Sequence, residues 1–179
     1  MKICVFCSAN NQIDAAFFQL TEELGRWAAM NGHQIVFGGV NQGLMECVAK
    51  AAKEAGGHTI GVVPSIVEET GRTSAYNDEV ITCNNLSERK QLMLDMSDIF
   101  IALPGGIGTL DEIFTIAASR TIGYHQKRVV LYNINGFWNT TIALLDDMQQ
   151  RGMIRGQWRD YIGVASSIAE LEAQLANSL

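Results

Sequence analysis

The sequence predicts an α/β fold, namely a single-domain, Rossmann-like, doubly wound sheet of about seven mostly parallel strands with helices on both faces. Short apolar segments alternate with longer segments of helical periodicity along the whole chain, which is typical of stacked βαβ units. The 179 residues are enough to build one hydrophobic core. No repeat or composition shift divides the chain, so residues 1–179 are expected to form one domain.

The elements follow from short apolar runs, helical periodicity and the residues that interrupt them. The predicted strands are Ile3–Cys7, Gln34–Phe37, Thr59–Val63, Glu79–Thr82, Ile99–Leu103, Val129–Tyr132 and Ile162–Val164. The predicted helices are Ala15–Asn31, Leu44–Ala55, Ser87–Met96, Leu110–Ile122, Trp138–Gln150 and Ile168–Ala176. Gly32 and Gly56 stand where the first two helices need a left-handed C-cap. Asn85 and Glu88 have capping-box spacing, and the polar segment Glu68–Asn77 is expected to be a surface loop.

Composition and charge exclude several classes of protein. The formal net charge is −6, and lysine and arginine form no cluster that would follow a nucleic-acid backbone, so nucleic acid is not an expected partner. The first apolar run is only five residues long and is followed by polar residues, which does not resemble a signal peptide or a membrane span. A cytoplasmic location without membrane contact is therefore expected.

The cysteines and histidines do not predict a redox or metal site. Cys4 and Cys7 are three residues apart in a predicted strand, so their side chains point to opposite faces and both are interpreted as buried thiols. His33, His58 and His125 are far apart in the sequence and lack a second ligand at metal spacing. We therefore expect neither a metal nor a cofactor.

Two glycine-rich loops each follow a predicted strand and open a helix. The first is Gly38-Gly-Val-Asn-Gln-Gly-Leu-Met45, and the second is Pro104-Gly-Gly-Ile-Gly-Thr-Leu-Asp-Glu112. In this context glycines allow close approach of the backbone, and free N–H groups at a helix N-terminus attract anions. Neither loop matches the dinucleotide fingerprint or the triphosphate-binding Walker motif, which leaves a cradle of monophosphate size.

Both loops also have an interpretation without a ligand. Thr109 and Glu112 have the spacing of a capping box, which would explain both side chains as helix caps. The glycines of the first loop would be needed only for a tight turn and close helix packing. Residues alone leave these alternatives open.

The motif Pro104-Gly-Gly-Ile-Gly-Thr-Leu-Asp-Glu112, preceded by Arg89-Lys90, resembles the paired signature of the LOG (lonely guy) family. These are cytokinin riboside 5′-monophosphate phosphoribohydrolases, formerly labelled lysine decarboxylases. The resemblance extends to Val36-Phe-Gly-Gly39, Gly43-Leu-Met45 and Arg151-Gly-Met-Ile154. It implies a Rossmann-like fold, a homodimer and a small-molecule nucleotide substrate.

The resemblance also implies residue roles. Arg89 and Glu112 would be the catalytic residues. The substrate-binding residues would be Ser8, Lys90, Gly105, Gly106, Gly108 and Thr109, the last four holding the 5′-phosphate. A carboxylate suits this chemistry because cleavage of an N-glycosidic bond builds positive charge on the sugar. Arg89 suits orientation and charge stabilisation, and Met93, one turn further on, is interpreted as a core residue.

The resulting hypothesis is hydrolysis of a nucleoside 5′-monophosphate, such as AMP or a cytokinin riboside monophosphate, to the base and ribose 5-phosphate. Two alternatives remain. One is a module that binds AMP-like nucleotides without chemistry, and the other is a lysine decarboxylase, for which the sequence offers no obvious pyridoxal-phosphate lysine.

Overall fold

The structure is a computed structural model that describes residues 1–176. Its strands form one sheet in which all neighbouring strands are parallel. They are β1 Lys2–Phe6, β2 Gln34–Phe37, β3 His58–Pro64, β4 Glu79–Cys83, β5 Ile99–Ala102, β6 Val129–Tyr132 and β7 Ile162–Ala165. The strand order is β4-β3-β2-β1-β5-β6-β7. The order changes direction between β1 and β5, so the crevice beyond their carboxyl ends is where a ligand is expected.

Helices cover both faces of this sheet. They are α1 Ala15–Met30, α2 Gly43–Glu54, α3 Ser65–Glu69, α4 Leu86–Met96, α5 Ile107–Thr121, α6 Asn139–Gln150 and α7 Ile168–Ala176, with short 3₁₀ turns at Ile134–Gly136 and Trp158–Asp160. One core cluster lies under α1, α2 and α7, and the second lies under α4, α5 and α6. The predicted doubly wound α/β architecture is therefore confirmed.

Alternating side chains of β1 separate the two cores. Cys4 belongs to the cluster under α4, α5 and α6, whereas Cys7 belongs to the cluster under α1, α2 and α7. Both thiols are free and buried, and burial raises the pKa of each well above the usual value. The interpretation of the two residues as packed thiols on opposite faces is confirmed, because successive strand residues alternate in direction.

Several helix ends match the predicted signals. Gly32 and Gly56 adopt φ values of +70° and +80° directly after the ends of α1 and α2, as predicted. The Asn85 side chain accepts a hydrogen bond from the Glu88 N–H at 2.9 Å, so Asn85 caps α4. The Glu88 carboxylate accepts a hydrogen bond from the Asn84 N–H rather than from Asn85, which is a variation on the predicted capping box.

Most predicted boundaries lie within one residue of the observed ones, and two differences are larger. Helix α5 begins at Ile107, not at Leu110, because the Leu110 N–H already bonds to the Gly106 carbonyl at 3.0 Å. The short helix α3, Ser65–Glu69, was not predicted, and it includes the first two residues of the segment Glu68–Asn77 that was predicted as a polar loop. None of the helices within residues 1–176 has the length and apolarity needed to cross a bilayer.

Candidate functional site

The second glycine loop brings an uncapped helix N-terminus to the crevice between β1 and β5. Gly106 is the N-cap of α5, and no side chain satisfies the first N–H groups of this helix among the described residues. Thr109 is the third residue of the helix and cannot be its N-cap. The alternative interpretation of Thr109 and Glu112 as a capping box is therefore wrong, and neither side chain is explained by capping.

The glycines of this loop serve two different purposes. A Cβ atom built on Gly105 would lie 2.1 Å from Oγ1 of Thr109, so the hydroxyl group packs where a side chain would otherwise stand. Cβ atoms built on Gly106 and Gly108 would meet nothing within 4 Å. These two glycines border open space, so there is room for a ligand beside the backbone at the start of α5.

Ser8 ties the end of β1 to both glycine loops. Its backbone N–H donates to the Pro104 carbonyl at 3.1 Å, and its own carbonyl accepts from the Leu44 N–H at 2.9 Å. The hydroxyl oxygen accepts a hydrogen bond from the Asn10 N–H at 3.0 Å. The end of β1 and the two glycine loops are thus held in fixed relative positions.

The first glycine loop makes a tight turn and packs closely against the segment that follows β1. Gly43 has a φ of +58°, and a Cβ atom there would lie 2.6 Å from the Ser8 carbonyl oxygen. Its N–H donates to the Asn11 side chain at 2.7 Å and is therefore occupied. These contacts favour the interpretation that the loop needs glycine for a tight turn and close packing rather than for an anion.

Arg89 and Glu112 meet at the floor of the crevice. The Nη1 atom of Arg89 lies 3.9 Å from Oε1 of Glu112. The Arg89 Nε–H donates to the Val62 carbonyl at 3.0 Å, which fixes the guanidinium. The pKa of Glu112 is raised to about 7: burial raises it most, the positive charge of Arg89 lowers it, and the smaller effects of Asp111 and Lys90 raise and lower it respectively. A carboxyl group that titrates near neutral pH is suited to proton transfer.

Lys90 is placed beside this pair but is already engaged. Its ammonium group lies 2.8 and 2.7 Å from the two carboxylate oxygens of Asp111, and it donates to the Thr115 hydroxyl at 3.0 Å. With Arg89 and Glu112 it lines a small recess of about 50 Å³. Its positive charge therefore acts next to the crevice from a fixed position.

Most of the predicted site residues line one cavity of about 330 Å³. Those that do are Ser8, Arg89, Gly106, Gly108, Thr109 and Glu112. Gly105 lines an adjoining cavity of about 240 Å³ that shares Ser8 and Gly106 with the first. The predicted residues thus come together, although the structure tests none of their roles.

The cavity also contains residues that sequence reasoning did not assign to the site. They are Cys7, Ala9, Asn10 and Met45. Asn10 follows β1 and Met45 follows the first glycine loop, so the position after a strand was the available signal. Met93 is fully buried in the core, which confirms its interpretation as a packing residue.

A larger cavity of about 470 Å³ lies between α1 and α2 and is less suited to a substrate. Four of its five charged side chains pair along their own helices, with Arg26 at 2.9 Å from Glu22 and Lys50 at 3.8 Å from Glu54. All four side chains are half exposed, as is typical of a solvated helix surface.

Comparison with known proteins places this site in context. Residues 45–175 match a family model described as "Possible lysine decarboxylase". The cytokinin riboside 5′-monophosphate phosphoribohydrolase LOG5 of Arabidopsis thaliana is 33% identical over 174 residues, which are 97% of this chain and 76% of that protein. A probable cytokinin riboside 5′-monophosphate phosphoribohydrolase of rice, LOGL1, is 35% identical over 170 residues, covering 95% of this chain and 76% of the relative.

Solved structures share the fold at lower identity. The molybdenum cofactor carrier protein of Chlamydomonas reinhardtii superposes with a TM-score of 0.76 at 24% identity, covering 99% of this chain and 96% of the carrier. DNA processing protein A of Helicobacter pylori has a TM-score of 0.58 at 17% identity, covering 99% of this chain and 80% of that protein. At these identities the likeness extends to the fold alone.

Proposed function

Because the chain belongs to the LOG family, we propose that it hydrolyses the N-glycosidic bond of a nucleoside 5′-monophosphate, releasing the free base and ribose 5-phosphate. The observation that carries this proposal is the presence of an uncapped helix N-terminus and the buried pair of Arg89 and Glu112 in one cavity. The candidate substrates are AMP and cytokinin riboside 5′-monophosphates. The names of the relatives support the second of these.

The 5′-phosphate would bind at the start of α5. The N–H groups at the helix N-terminus carry partial positive charge, and Gly106 and Gly108 leave space above them. The hydroxyl groups of Thr109 and Ser8 stand at the same cavity and can donate further hydrogen bonds. The ribose would then extend toward Glu112, which is one helical turn beyond the loop.

Glu112 would act on the anomeric carbon. As the bond from C1′ to the base nitrogen breaks, its electron pair leaves with the base and positive charge develops on the sugar. The Glu112 carboxylate stabilises that charge and accepts a proton from the attacking water, whose oxygen forms the new bond to C1′. The proton is delivered to the departing base, so that water is consumed and both products are neutral at the cleaved bond.

Arg89 would orient the substrate and the carboxylate rather than transfer a proton. Its guanidinium stays charged at physiological pH and presents several donors in one plane. Only Nε is committed to a backbone carbonyl. The positive charge also keeps more of Glu112 ionised than burial alone would allow. Lys90 would add to this effect and hold Asp111 beside the cavity.

The old family description as a decarboxylase finds less support in the residues. A pyridoxal-phosphate enzyme needs a lysine amine free to form a Schiff base with the cofactor. The lysine beside the cavity, Lys90, donates hydrogen bonds to Asp111 and Thr115 instead. Because its ammonium group is engaged in this way, Lys90 does not fit the role of the lysine that binds pyridoxal phosphate.

We also propose that two copies of the chain associate through α5. Three apolar side chains along this helix are exposed: Ile107 at 88%, Phe114 at 37% and the C-cap residue Ile122 at 66%. Phe114 lies about two turns beyond Ile107 and Ile122 about four turns beyond it, so all three lie on one side of the helix. Leu86 at the start of α4 is also exposed, at 60%. Such apolar surface beside the cavity is typical of an interface between subunits.

The proposed activity is tested by incubating the protein with AMP and with N6-isopentenyladenosine 5′-monophosphate, and then separating the products by chromatography. Hydrolysis gives the free base and ribose 5-phosphate. A binding module would leave the nucleotide intact while showing an affinity by calorimetry. Release of cadaverine from lysine in the presence of pyridoxal phosphate would support the decarboxylase instead.

A further inference from the structure

Gly38 lies directly against the guanidinium group of Arg89. Gly38 follows the last residue of β2, and Arg89 reaches it from α4. A Cβ atom built on Gly38 would lie 2.0 Å from Nη2 of Arg89, which is far shorter than any contact that a real side chain makes. The planar group therefore occupies the space in which every other residue would place its side chain.

The other atoms of this guanidinium are fixed by the neighbouring elements. Its Nε–H bonds to the Val62 carbonyl at 3.0 Å, and Nη1 lies 3.9 Å from the carboxylate of Glu112. The Nη2 atom is buried and has no hydrogen-bond partner among residues 1–176. Only the bare backbone of Gly38 allows it to stay there.

The requirement at Gly38 is for space and not for backbone conformation. Gly38 is absent from the glycines with positive φ, whereas its neighbour Gly39 has a φ of +69°. An alanine can therefore adopt the backbone of Gly38 without strain. The methyl group of the alanine would clash with the ends of two flexible side chains, those of Arg89 and Met45. The Sδ atom of Met45 would lie 2.8 Å from it.

We propose that Gly38 is a positioning residue for the hydrolysis, because its missing side chain leaves the space that holds the Arg89 guanidinium against Glu112. This inference rests on the proposed function. It gives the first glycine loop a role in the reaction without direct contact to the substrate. We expect the fold to tolerate Gly38→Ala, because Arg89 lines the cavity and its guanidinium can rotate toward that space.

The displacement changes the environment of Glu112. Lys90 acts on the carboxylate from α4 together with Arg89, and Asp111 acts on it from its own helix. In turn, burial and then the charge of Glu112 raise the pKa of Cys4 in β1 and of Cys7 directly after β1. A guanidinium that has moved into the cavity is screened by water and no longer lowers the pKa of Glu112 as strongly. The pKa of Glu112 should therefore rise above about 7 in the variant.

The first experiment compares the steady-state kinetics of Gly38→Ala and the parent protein. We expect kcat for base release to fall by about 10- to 100-fold, because misplacing a group by an ångström has effects of that size. KM should rise by a smaller factor than kcat falls, because the displaced guanidinium enters the cavity while the phosphate contacts at the start of α5 stay in place. Gly163→Ala is the matched control. Its methyl group would lie 2.8 Å from Oε1 of Gln174, which is also the end of a flexible side chain, and Gly163 lies in β7, far from the cavity.

A double variant separates Arg89 from Met45. If Gly38 acts through Arg89, adding Gly38→Ala to Arg89→Ala should leave kcat within about twofold of Arg89→Ala alone. A further decrease as large as that of the single variant would overturn the proposal, because the effect would then come from Met45 or from the loop.

A second measurement needs no activity and so separates this inference from the proposed function. The pKa of the Glu112 carboxyl is followed by NMR with ¹³C-labelled glutamate, using Glu112→Gln to assign the signal. A higher pKa in Gly38→Ala than in the parent, with no change in Gly163→Ala, supports the proposal. If the parent released no base from any nucleotide, the proposed function would fail, and an unchanged Glu112 pKa in Gly38→Ala would overturn the positioning role by itself.

Discussion

The Nη1 atom of Arg89 lies 3.9 Å from Oε1 of Glu112, and the two side chains are only 11% and 9% exposed. The distance is longer than a direct hydrogen bond, so the interaction is mainly between charges. Burial nevertheless outweighs it, since the pKa of Glu112 is raised to about 7 and not lowered. The pair therefore couples the charge state of a buried acid to the position of one guanidinium.

The first prediction is that Glu112→Gln abolishes turnover but not binding. The amide has nearly the same shape and cannot stabilise a developing cation or accept a proton from water. Base release should fall by about 10²-fold or more, while calorimetry shows AMP affinity within about threefold of the parent. Glu54→Gln, at an exposed carboxylate of α2, serves as the control. Normal turnover by Glu112→Gln would remove the carboxylate from the mechanism.

The second prediction concerns stability and pH. Because the folded-state pKa of Glu112 is about 7 and its usual value is 4.5, the folded protein retains a proton that the unfolded chain releases. Stability from this group is therefore lost as pH rises from about 4.5 to 7. We compare the free energy of unfolding of Glu112→Gln with that of the parent at each pH. The difference, variant minus parent, should increase by at most about 3 kcal/mol from pH 4 to pH 8. Urea unfolding at both pH values measures this, and parallel pH curves would contradict it.

The third prediction is that two neighbouring charges shift the pH dependence of the activity in opposite directions. Activity should rise with pH as Glu112 loses its proton, so kcat/KM has an acidic limb near pH 7. Lys90 lowers the pKa of Glu112 and Asp111 raises it. Lys90→Met should move the limb to higher pH, and Asp111→Asn should move it to lower pH. Limbs that coincide with the parent's would show that another group titrates.

The fourth prediction is that Thr109 recognises the phosphate. AMP should be a far better substrate than adenosine, since hydrogen bonds to a charged group contribute about 1.5–3 kcal/mol each. Thr109→Val removes only the hydroxyl group, and kcat/KM should fall about tenfold or more for AMP but change little for adenosine. Thr121→Val, whose hydroxyl bonds to the Ala118 carbonyl at the other end of α5, is the control. Equal losses for both substrates would contradict a phosphate contact.

The fifth prediction concerns the association of two copies through α5. Ile107→Lys combined with Phe114→Lys places two like charges in the proposed interface, where burial of an unpaired charge is costly. Sedimentation at micromolar concentration should show a dimer for the parent and a monomer for the variant. Met30→Lys, at an 80% exposed residue of α1, should remain dimeric. A monomeric parent would refute the proposal.

Much of the fold was predictable because it depends on local pattern. The buried strands are short continuous apolar runs, and the opposite orientations of Cys4 and Cys7 follow from strand geometry alone. The start of α5 was not predictable. Thr109 and Glu112 match a capping box in the sequence, but Gly106 takes the N-cap position because its backbone, with φ −98° and ψ −150°, allows the helix to begin earlier.

The candidate site could be predicted as a set of residues but not as an arrangement. The motifs identify Arg89, Thr109 and Glu112, and the structure brings them into one cavity. Their chemical roles remain predictions. That Lys90 is bound to Asp111 could not be read from the sequence, because it depends on how α4 packs beside α5.

The sequence by itself determined the alternation of strands and helices, the family signature and the carboxyl-end loops in which a ligand would bind, because each depends on neighbouring residues and their periodicity. Only the tertiary structure decided the raised pKa of Glu112 and the close contact between Gly38 and Arg89. The first is set by burial among distant elements, and the second by the guanidinium of Arg89 arriving from another helix. Both are properties of packing, in which residues far apart in the chain compete for the same space and share the same electric field.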